Sequence, residues 1–138
     1  MKPQPEIRKK ERVKSMGMFD KTEAQSLLYN YPVAALFQAM CAAVQQTSGF
    51  TVQLANPQTG TIQISKSMSM FTWGENLYVQ IIPVSETQSN LQITCQSKLG
   101  TEIAARSKNR KNIQVLLEKM QLILNQMYGM PQQPYYGG

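Results

Sequence analysis

The sequence predicts an α+β two-layer sandwich, in which an antiparallel sheet of four to five strands carries two helices on one face. Four stretches alternate apolar and polar residues with the period of a strand, and two longer stretches repeat apolar residues at helical spacing. Most of the strand connections are of hairpin length, which favours a meander. Elements in the order β-α-β-β-β-β-α bury their apolar faces when both helices cover the same side of the sheet.

The first strand and the first helix meet at Pro32. Leu27, Tyr29 and Tyr31 alternate, and a residue before proline favours extended geometry, so we expect a strand over residues 23–30. Proline also suits the first turn of a helix, where its missing N–H costs nothing. The helix expected over residues 32–47 has its apolar residues at Val33, Leu36, Phe37, Met40, Cys41 and Val44.

The next strands are expected as hairpins. The first hairpin has a turn rich in Asn, Pro and Gly over residues 56–60, and the connection over residues 85–90 is polar. The most regular strand, residues 76–83, ends at Pro83. Residues expected to face inward are Phe50, Val52 and Leu54, then Ile62 and Ile64, then Leu77, Val79 and Ile81, and finally Leu91, Ile93 and Cys95 in a strand over residues 90–97.

The last helix, expected over residues 108–128, has the broadest apolar face. Ser107 or Asn109 is its candidate N-cap, and Gly129 with Pro131 is expected to end it. The face consists of Ile113, Leu116, Leu117, Met120, Ile123, Leu124 and Met127.

The two ends of the chain differ in composition from the folded unit expected over residues 22–128. Residues 1–21 hold seven basic and three acidic residues without a sustained period, which predicts a flexible basic arm. Residues 129–138 are rich in Gly, Pro, Gln and Tyr, which predicts a disordered tail. Because no apolar run has the length of a signal peptide or a membrane span, we expect a cytoplasmic protein without a transmembrane segment.

The composition argues against an enzyme. The chain contains no histidine, the commonest general base near neutral pH, and its eight acidic residues show no spacing typical of a catalytic dyad or a magnesium site. Cys41 and Cys95 lie on predicted core faces and are expected as buried thiols; a disulfide requires that the fold bring them together. Two thiols are too few for a structural zinc site. We therefore expect no catalytic residue, no metal and no cofactor.

The first candidate interaction segment is the turn that contains the only tryptophan. Met70 and Phe71 give this turn an apolar lip, and Trp73 and Glu75 complete it. Such a turn either binds a partner through an exposed tryptophan or closes the end of the core, with Glu75 bonded to nearby backbone. Met68 and Met70 either form part of this lip or continue the preceding strand into the core.

The second candidate segment is the basic start of the last helix. Asn109 and Asn112 are expected near exposed helix N–H groups, which bind anions. The alternative is a solvated basic turn in which asparagine caps the helix. The basic residues of this segment are Arg106, Lys108, Arg110 and Lys111.

Two motifs carry a resemblance to a known family. Thr72-Trp73-Gly74-Glu75 leads into a strand and Lys108-Asn109-x-x-Asn112 begins a helix. With the GFTV…TGTI hairpin, these motifs resemble a small uncharacterised bacterial α+β domain over roughly residues 24–127. Related sequences often have Trp-Gly or a lone Gly where this chain has Arg106-Ser107. The resemblance implies the fold and no established activity. The strand–Pro–helix opening also resembles lipid-binding START-like domains, which are longer than this chain.

These observations lead to one main hypothesis and two alternatives. The main hypothesis is a non-enzymatic binding module that contacts another protein through its sheet face or the Trp73 turn. The first alternative is association with an anionic membrane surface or nucleic acid through the basic helix start and the arm. The second is a small apolar ligand between helices and sheet, lined by Phe37, Met40, Ile81 and Met120. The basic arm residues are Arg8, Lys9, Lys10, Arg12 and Lys14.

Overall fold

The computed structural model describes residues 22–68, 74–98 and 105–129, with the backbone alone for residues 105–107. The predicted basic arm and almost all of the predicted tail lie outside these residues. Along the chain the elements are β1 (Thr22–Tyr29), α1 (Val33–Gln45), β2 (Phe50–Asn56), β3 (Thr61–Lys66), β4 (Glu75–Pro83), β5 (Ser89–Ser97) and α2 (Ala105–Tyr128).

The five strands form one antiparallel sheet in the order β1-β5-β4-β3-β2. The strands β2 to β5 are a meander, as predicted. The first strand, β1, forms the edge opposite to β2. It pairs with the last strand, β5, from Thr22 opposite Gln96 to Tyr29 opposite Ser89. The predicted fold class is therefore confirmed, and β1 and β2 are the two edge strands.

Both helices pack on the same face of the sheet, and they also pack against each other. The connection from one edge strand to the other runs through α1, which packs over β2 and β4. The helix α2 lies over β5 and β1. No helix in the described part of the chain is both long and apolar enough to cross a membrane.

The core lies between the helices and the inward-facing strand residues. The predicted inward faces of β3, β4 and β5 are confirmed, because their apolar residues are buried in one cluster with residues of both helices. Alanines on α1 allow that helix to lie close to the sheet. The largest fully buried side chains are Leu36, Met40, Ile62, Ile64, Leu77, Ile81, Leu91, Ile93, Ile113, Leu116, Met120 and Leu124.

Two expectations about strand faces are wrong. The register of β2 against β3 shifts between Val52 and Leu54, so Leu54 pairs with the outward-facing Gln63 and is 56% exposed. A β-bulge of this kind moves the following side chains to the opposite face. The strand β3 ends at Lys66, and Met68 is exposed beyond it instead of continuing into the core.

The helix α2 begins at Ala105, three residues before the predicted start. Asn109 is therefore inside the helix and is fully buried, so it does not cap the helix from the solvent side. The predicted end is confirmed, because the helix ends at Tyr128 and Gly129 follows with a positive φ of 78°.

Candidate functional site

One end of the core face is polar. The register places Lys66, Glu75 and Ser97 side by side on β3, β4 and β5. Cys95 lies on the same face of β5, two residues before Ser97. Glu75 is only 1% exposed, so its carboxylate is out of contact with water and must be held by protein groups.

The first turns of α2 supply those groups. The Asn112 side chain donates from Nδ2 to Glu75 Oε1 at 3.2 Å, and its Oδ1 accepts from Lys66 Nζ at 3.5 Å. The Cys95 thiol donates to Asn109 Oδ1 at 3.2 Å. These five residues, called the polar cluster below, connect α2 to three neighbouring strands.

Gly74 makes this arrangement sterically feasible. It precedes β4 with a φ of 101°, which L side chains rarely adopt. A Cβ at this position would lie 2.7 Å from the carbonyl oxygen of Lys66. The carbonyl oxygen of Gly74 accepts a backbone hydrogen bond of 3.0 Å from Lys98. The glycine thus lets the start of β4 lie close to the end of β3, where Glu75 faces inward.

The two cysteines are free thiols. Burial raises the pKa of Cys95 to about 12; the hydrogen bond from Asn112 lowers it, and the Glu75 carboxylate raises it further. Burial also raises the pKa of Cys41. At neutral pH both thiols are protonated, which is the unreactive form. Within the described residues, no group of three or more His, Cys, Asp or Glu side chains is placed to hold a metal.

Basic side chains surround the polar cluster. Five of the six lysines and arginines whose side chains the structure describes belong to this end of the molecule: Lys66, Lys98, Lys108, Arg110 and Lys111. Arg110 Nε contacts Glu23 Oε2 at 3.3 Å, and Lys98 Nζ donates to Ser65 Oγ at 2.9 Å. The side chain of Lys66 lies over the Phe50 ring, with Nζ 5.2 Å from the centroid. We call this set the basic end.

The structure brings together part of the predicted interaction residues. Glu75, Asn109 and Asn112 meet inside the polar cluster, whereas Arg110 and Lys111 are exposed. Lys108 is partly exposed beside them. The remaining predicted residues, Met70, Phe71, Trp73 and the side chain of Arg106, lie outside the described part.

Sequence reasoning missed three residues of this end: Lys66, Ser97 and Lys98. The strand pattern contained a signal that could have identified Lys66 and Ser97. Lys66 continues the inward positions of Ile62 and Ile64, and Ser97 continues those of Ile93 and Cys95. Because side chains alternate strictly along a strand, both are polar residues at inward positions. Lys66 reaches Asn112 there, whereas the Ser97 hydroxyl has no hydrogen-bond partner among the described residues.

The outer face of the sheet, opposite the helices, is the second notable surface. It consists of the even-numbered residues of β1, β4 and β5, the odd-numbered residues of β3, and Thr51, Leu54 and Asn56 of β2. None of these strand residues is charged. The nearest described charge is Lys98, which follows β5 and bonds Ser65 at the edge of the face.

Apolar and aromatic side chains are exposed on this outer face. Tyr78 lies near its centre, between Gln63 and Thr94, and is 44% exposed. The other exposed apolar residues are Leu28, Leu54 and Ile82. Some amides are held in place, as in the Asn90 Nδ2 contact with Ser26 Oγ at 3.2 Å. The face is therefore an uncharged surface of amides, hydroxyls and a few large apolar groups.

No protein-family model and no curated protein matches the chain in sequence. Solved structures do match its fold. A START superfamily protein from Mycobacterium smegmatis superimposes with a TM-score of 0.59 at 8% identity, over 77% of this chain and 98% of that one. The chain has a START-like fold.

Two enzyme-related structures share this START-like fold. Norcoclaurine synthase from Thalictrum flavum, in complex with dopamine and hydroxybenzaldehyde, gives a TM-score of 0.58 at 5% identity over 79% of this chain and 92% of that one. The di-domain ARO/CYC protein BexL from the BE-7585A biosynthetic pathway gives 0.54 at 9% identity over 76% of this chain. The chain spans only 45% of BexL. At these identities the likeness establishes the fold alone.

Proposed function

We propose that residues 22–128 act as a non-enzymatic binding module, which contacts another protein through the outer face of the sheet. The observation that carries this proposal is the lack of any charged strand residue on that face, combined with exposed Leu28, Tyr78 and Ile82. The family resemblance and the START-like fold are both compatible with a binding role.

The chemistry of the outer face fits a protein interface better than permanent exposure to water. The centres of protein interfaces are depleted in charged residues and enriched in tyrosine and other aromatic residues. Amide and hydroxyl groups such as those of Gln63 and Thr94 exchange water for partner hydrogen bonds at small net cost. A lysine or glutamate at the same position would lose far more on desolvation.

The chemistry of the polar cluster supports a non-enzymatic role. Glu75 is buried and bonded to Asn112, so it is not presented to a substrate. Cys95 is buried, and its raised pKa keeps the thiol protonated. The chain has no histidine to activate a hydroxyl or thiol nucleophile. These groups connect elements of the fold. Norcoclaurine synthase and BexL share only 5% and 9% sequence identity with this chain.

Site-specific photo-crosslinking from position 78 tests the proposal. A benzophenone side chain at Tyr78 should give one dominant crosslinked protein in native lysate, and the same probe at Val115, on the exposed side of α2, should not. With the identified partner purified, Tyr78→Lys should weaken binding at least about tenfold, because a charge is desolvated at the interface. Val115→Lys should leave the affinity unchanged.

Two results would refute the sheet-face proposal. One is a Tyr78→Lys variant that binds the purified partner as tightly as the native chain does. The other is a partner whose binding is lost on Trp73→Ala and is indifferent to charges at positions 63, 78 and 94. The second result would assign binding to the Trp73 turn. Circular dichroism of each variant distinguishes loss of binding from loss of fold.

A further inference from the structure

We propose that the basic end docks on an anionic phospholipid bilayer surface. The inference goes beyond the protein-binding role, because it uses the end of the sheet and not its outer face. Basic side chains from the ends of β3 and β5 and from the first turns of α2 meet at this end. The first turns of α2 lie over it, and the chain enters β1 here at Thr22, directly after residues 1–21 with their seven basic and three acidic residues.

The charge at this end is unbalanced in the folded part alone. The five basic side chains of the basic end are accompanied by two carboxylates, Glu23 and Glu75. Glu75 is buried and bonded to Asn112, and Glu23 lies against Arg110 at 3.3 Å. Lys98 and Lys111 are exposed to solvent at the same end. A surface of this kind attracts anionic headgroups, with an affinity that falls as salt screens the charges.

Among the described residues, the opposite end of the sheet carries no basic side chain. The loop between β4 and β5 carries Glu86 as its charged residue. Beyond the basic end, the only basic side chain described is Lys119, two turns further along α2 than Lys111. The described part of the chain is therefore electrically polarised along the strand direction, and an anionic plane would orient it with the basic end facing the plane.

A bilayer accounts for the surface better than a nucleic acid does. Met68, two residues after Lys66, is 63% exposed at this end, and an interfacial membrane contact takes up such an apolar side chain together with neighbouring cations. Proteins that read RNA on a sheet use basic and aromatic residues on the sheet face. Here the outer sheet face has no basic strand residue, and Tyr78 is its one aromatic residue.

Vesicle co-sedimentation of the full-length chain tests this inference. The chain should bind vesicles of phosphatidylcholine with about 30% phosphatidylserine at low salt, and pure phosphatidylcholine vesicles should not bind. Lys111→Glu should lower the partition coefficient at least about tenfold, since each basic side chain near the surface is worth about a factor of five and reversal counts roughly twice. The control variant Lys119→Glu has the same net charge as Lys111→Glu and lies on the same helix, but outside the basic end. It should change the partition coefficient less than about twofold.

A full-length variant with Arg8, Lys9, Lys10 and Arg12 replaced by glutamine separates the arm from the folded end. If this variant loses all binding while Lys111→Glu binds normally, the arm alone carries the affinity and the inference is wrong. Equal losses for Lys111→Glu and Lys119→Glu would reduce the effect to net charge and also overturn it. Binding of a mixed-sequence nucleic acid duplex at a salt concentration where the anionic vesicles are not bound would assign the basic end to nucleic acid instead.

Discussion

The side-chain amide of Asn112 donates a hydrogen bond of 3.2 Å to the buried carboxylate of Glu75. This contact joins the two short motifs, Thr72-Trp73-Gly74-Glu75 and Lys108-Asn109-x-x-Asn112, that lie more than 30 residues apart in the chain. Each motif is unremarkable by itself. Together they hold a buried carboxylate, and a buried carboxylate is costly unless it is hydrogen-bonded. This contact therefore accounts for Glu75 in the first motif and Asn112 in the second, while Asn109 accepts from the Cys95 thiol.

Replacing Asn112 with alanine should lower the free energy of unfolding by about 2 kcal/mol or more. The substitution removes the Nδ2 donor of Glu75 and the Oδ1 acceptor of Lys66, and hydrogen bonds to charged groups are worth about 1.5–3 kcal/mol. Urea denaturation measures the change. Gln114→Ala, on an exposed position of the same helix, should cost less than about 0.5 kcal/mol. Similar values for the two variants would mean that the Asn112 contact does not stabilise the protein.

Gly74→Ala should destabilise the protein more than Gly129→Ala does. Both glycines have a positive φ, 101° and 78°, so both substitutions carry backbone strain of about 1–2 kcal/mol. At Gly74 the new Cβ would also meet a backbone atom, the Lys66 carbonyl oxygen at 2.7 Å; at Gly129 no atom of the described residues lies within 4 Å. Thermal denaturation of the pair isolates the steric part. Equal shifts in Tm would show that the end of β3 moves aside freely.

The stability of the protein should fall as the pH rises from about 9 to about 12, in part because of Cys95. In the unfolded chain this thiol ionises near its ordinary pKa of 9.0, whereas burial keeps it protonated in the fold up to about 12. Over this window the unfolded state releases a proton that the folded state retains, so unfolding becomes more favourable by up to about 1.4 kcal/mol per pH unit.

The variant Cys95→Ala isolates this contribution. Its free energy of unfolding, measured in urea at several pH values, should decline less steeply between pH 9 and 12 than that of the native chain. All other ionisable groups are common to both proteins, so the difference between the two curves reports on Cys95. Parallel curves for the two proteins would mean that Cys95 titrates in the fold as it does in the unfolded chain.

Met120→Ala tests the interior between the helices and the sheet. Met120 is fully buried in the same cluster as Met40 and Ile81; these three residues, with Phe37, were the expected lining of a ligand pocket. Truncation of a buried methionine should cost about 2–5 kcal/mol and leave a cavity. Met127→Ala, at a position 42% exposed, should cost less than about 1 kcal/mol. A small cost at position 120 would indicate a loosely filled interior, as a ligand-binding START-like domain requires.

Most of the fold could be predicted from the sequence, because burial imposes a visible period. The alternation of Leu77, Val79 and Ile81 gave the correct inward face of β4, and the apolar stripe of α2 gave its core side. The pairing of β1 with β5 could not be predicted, since it depends on where the chain returns after α1. The bulge before Leu54 also escaped, because an extra residue leaves the apolar pattern unchanged.

The candidate site was predicted only in part: Glu75, Asn109 and Asn112 were named as site residues, whereas Lys66 and the arrangement were not. Asn109 and Asn112 were expected at an exposed helix start, yet α2 begins at Ala105 and turns both side chains inward. A helix start within a basic segment has no apolar period to fix its boundary. Glu75 was a candidate for partner contact and proved to be buried. The contact between the two motifs is long-range, and sequence periodicity carries no information about it.

The position of β1 beside β5, at the edge opposite to β2, has a consequence for how the chain folds. Its partners on β5 lie 60 to 74 residues away in the sequence, whereas the other three pairings, β2–β3, β3–β4 and β4–β5, join strands that are adjacent along the chain. Loop closure over such a distance is entropically expensive, so pairings of this kind slow folding. The meander should therefore assemble first and β1 last, leaving the backbone edge of β5 open in the interval. An open edge of that kind can pair with strands of other chains. The chain is therefore most prone to misassembly during synthesis, before β1 has paired.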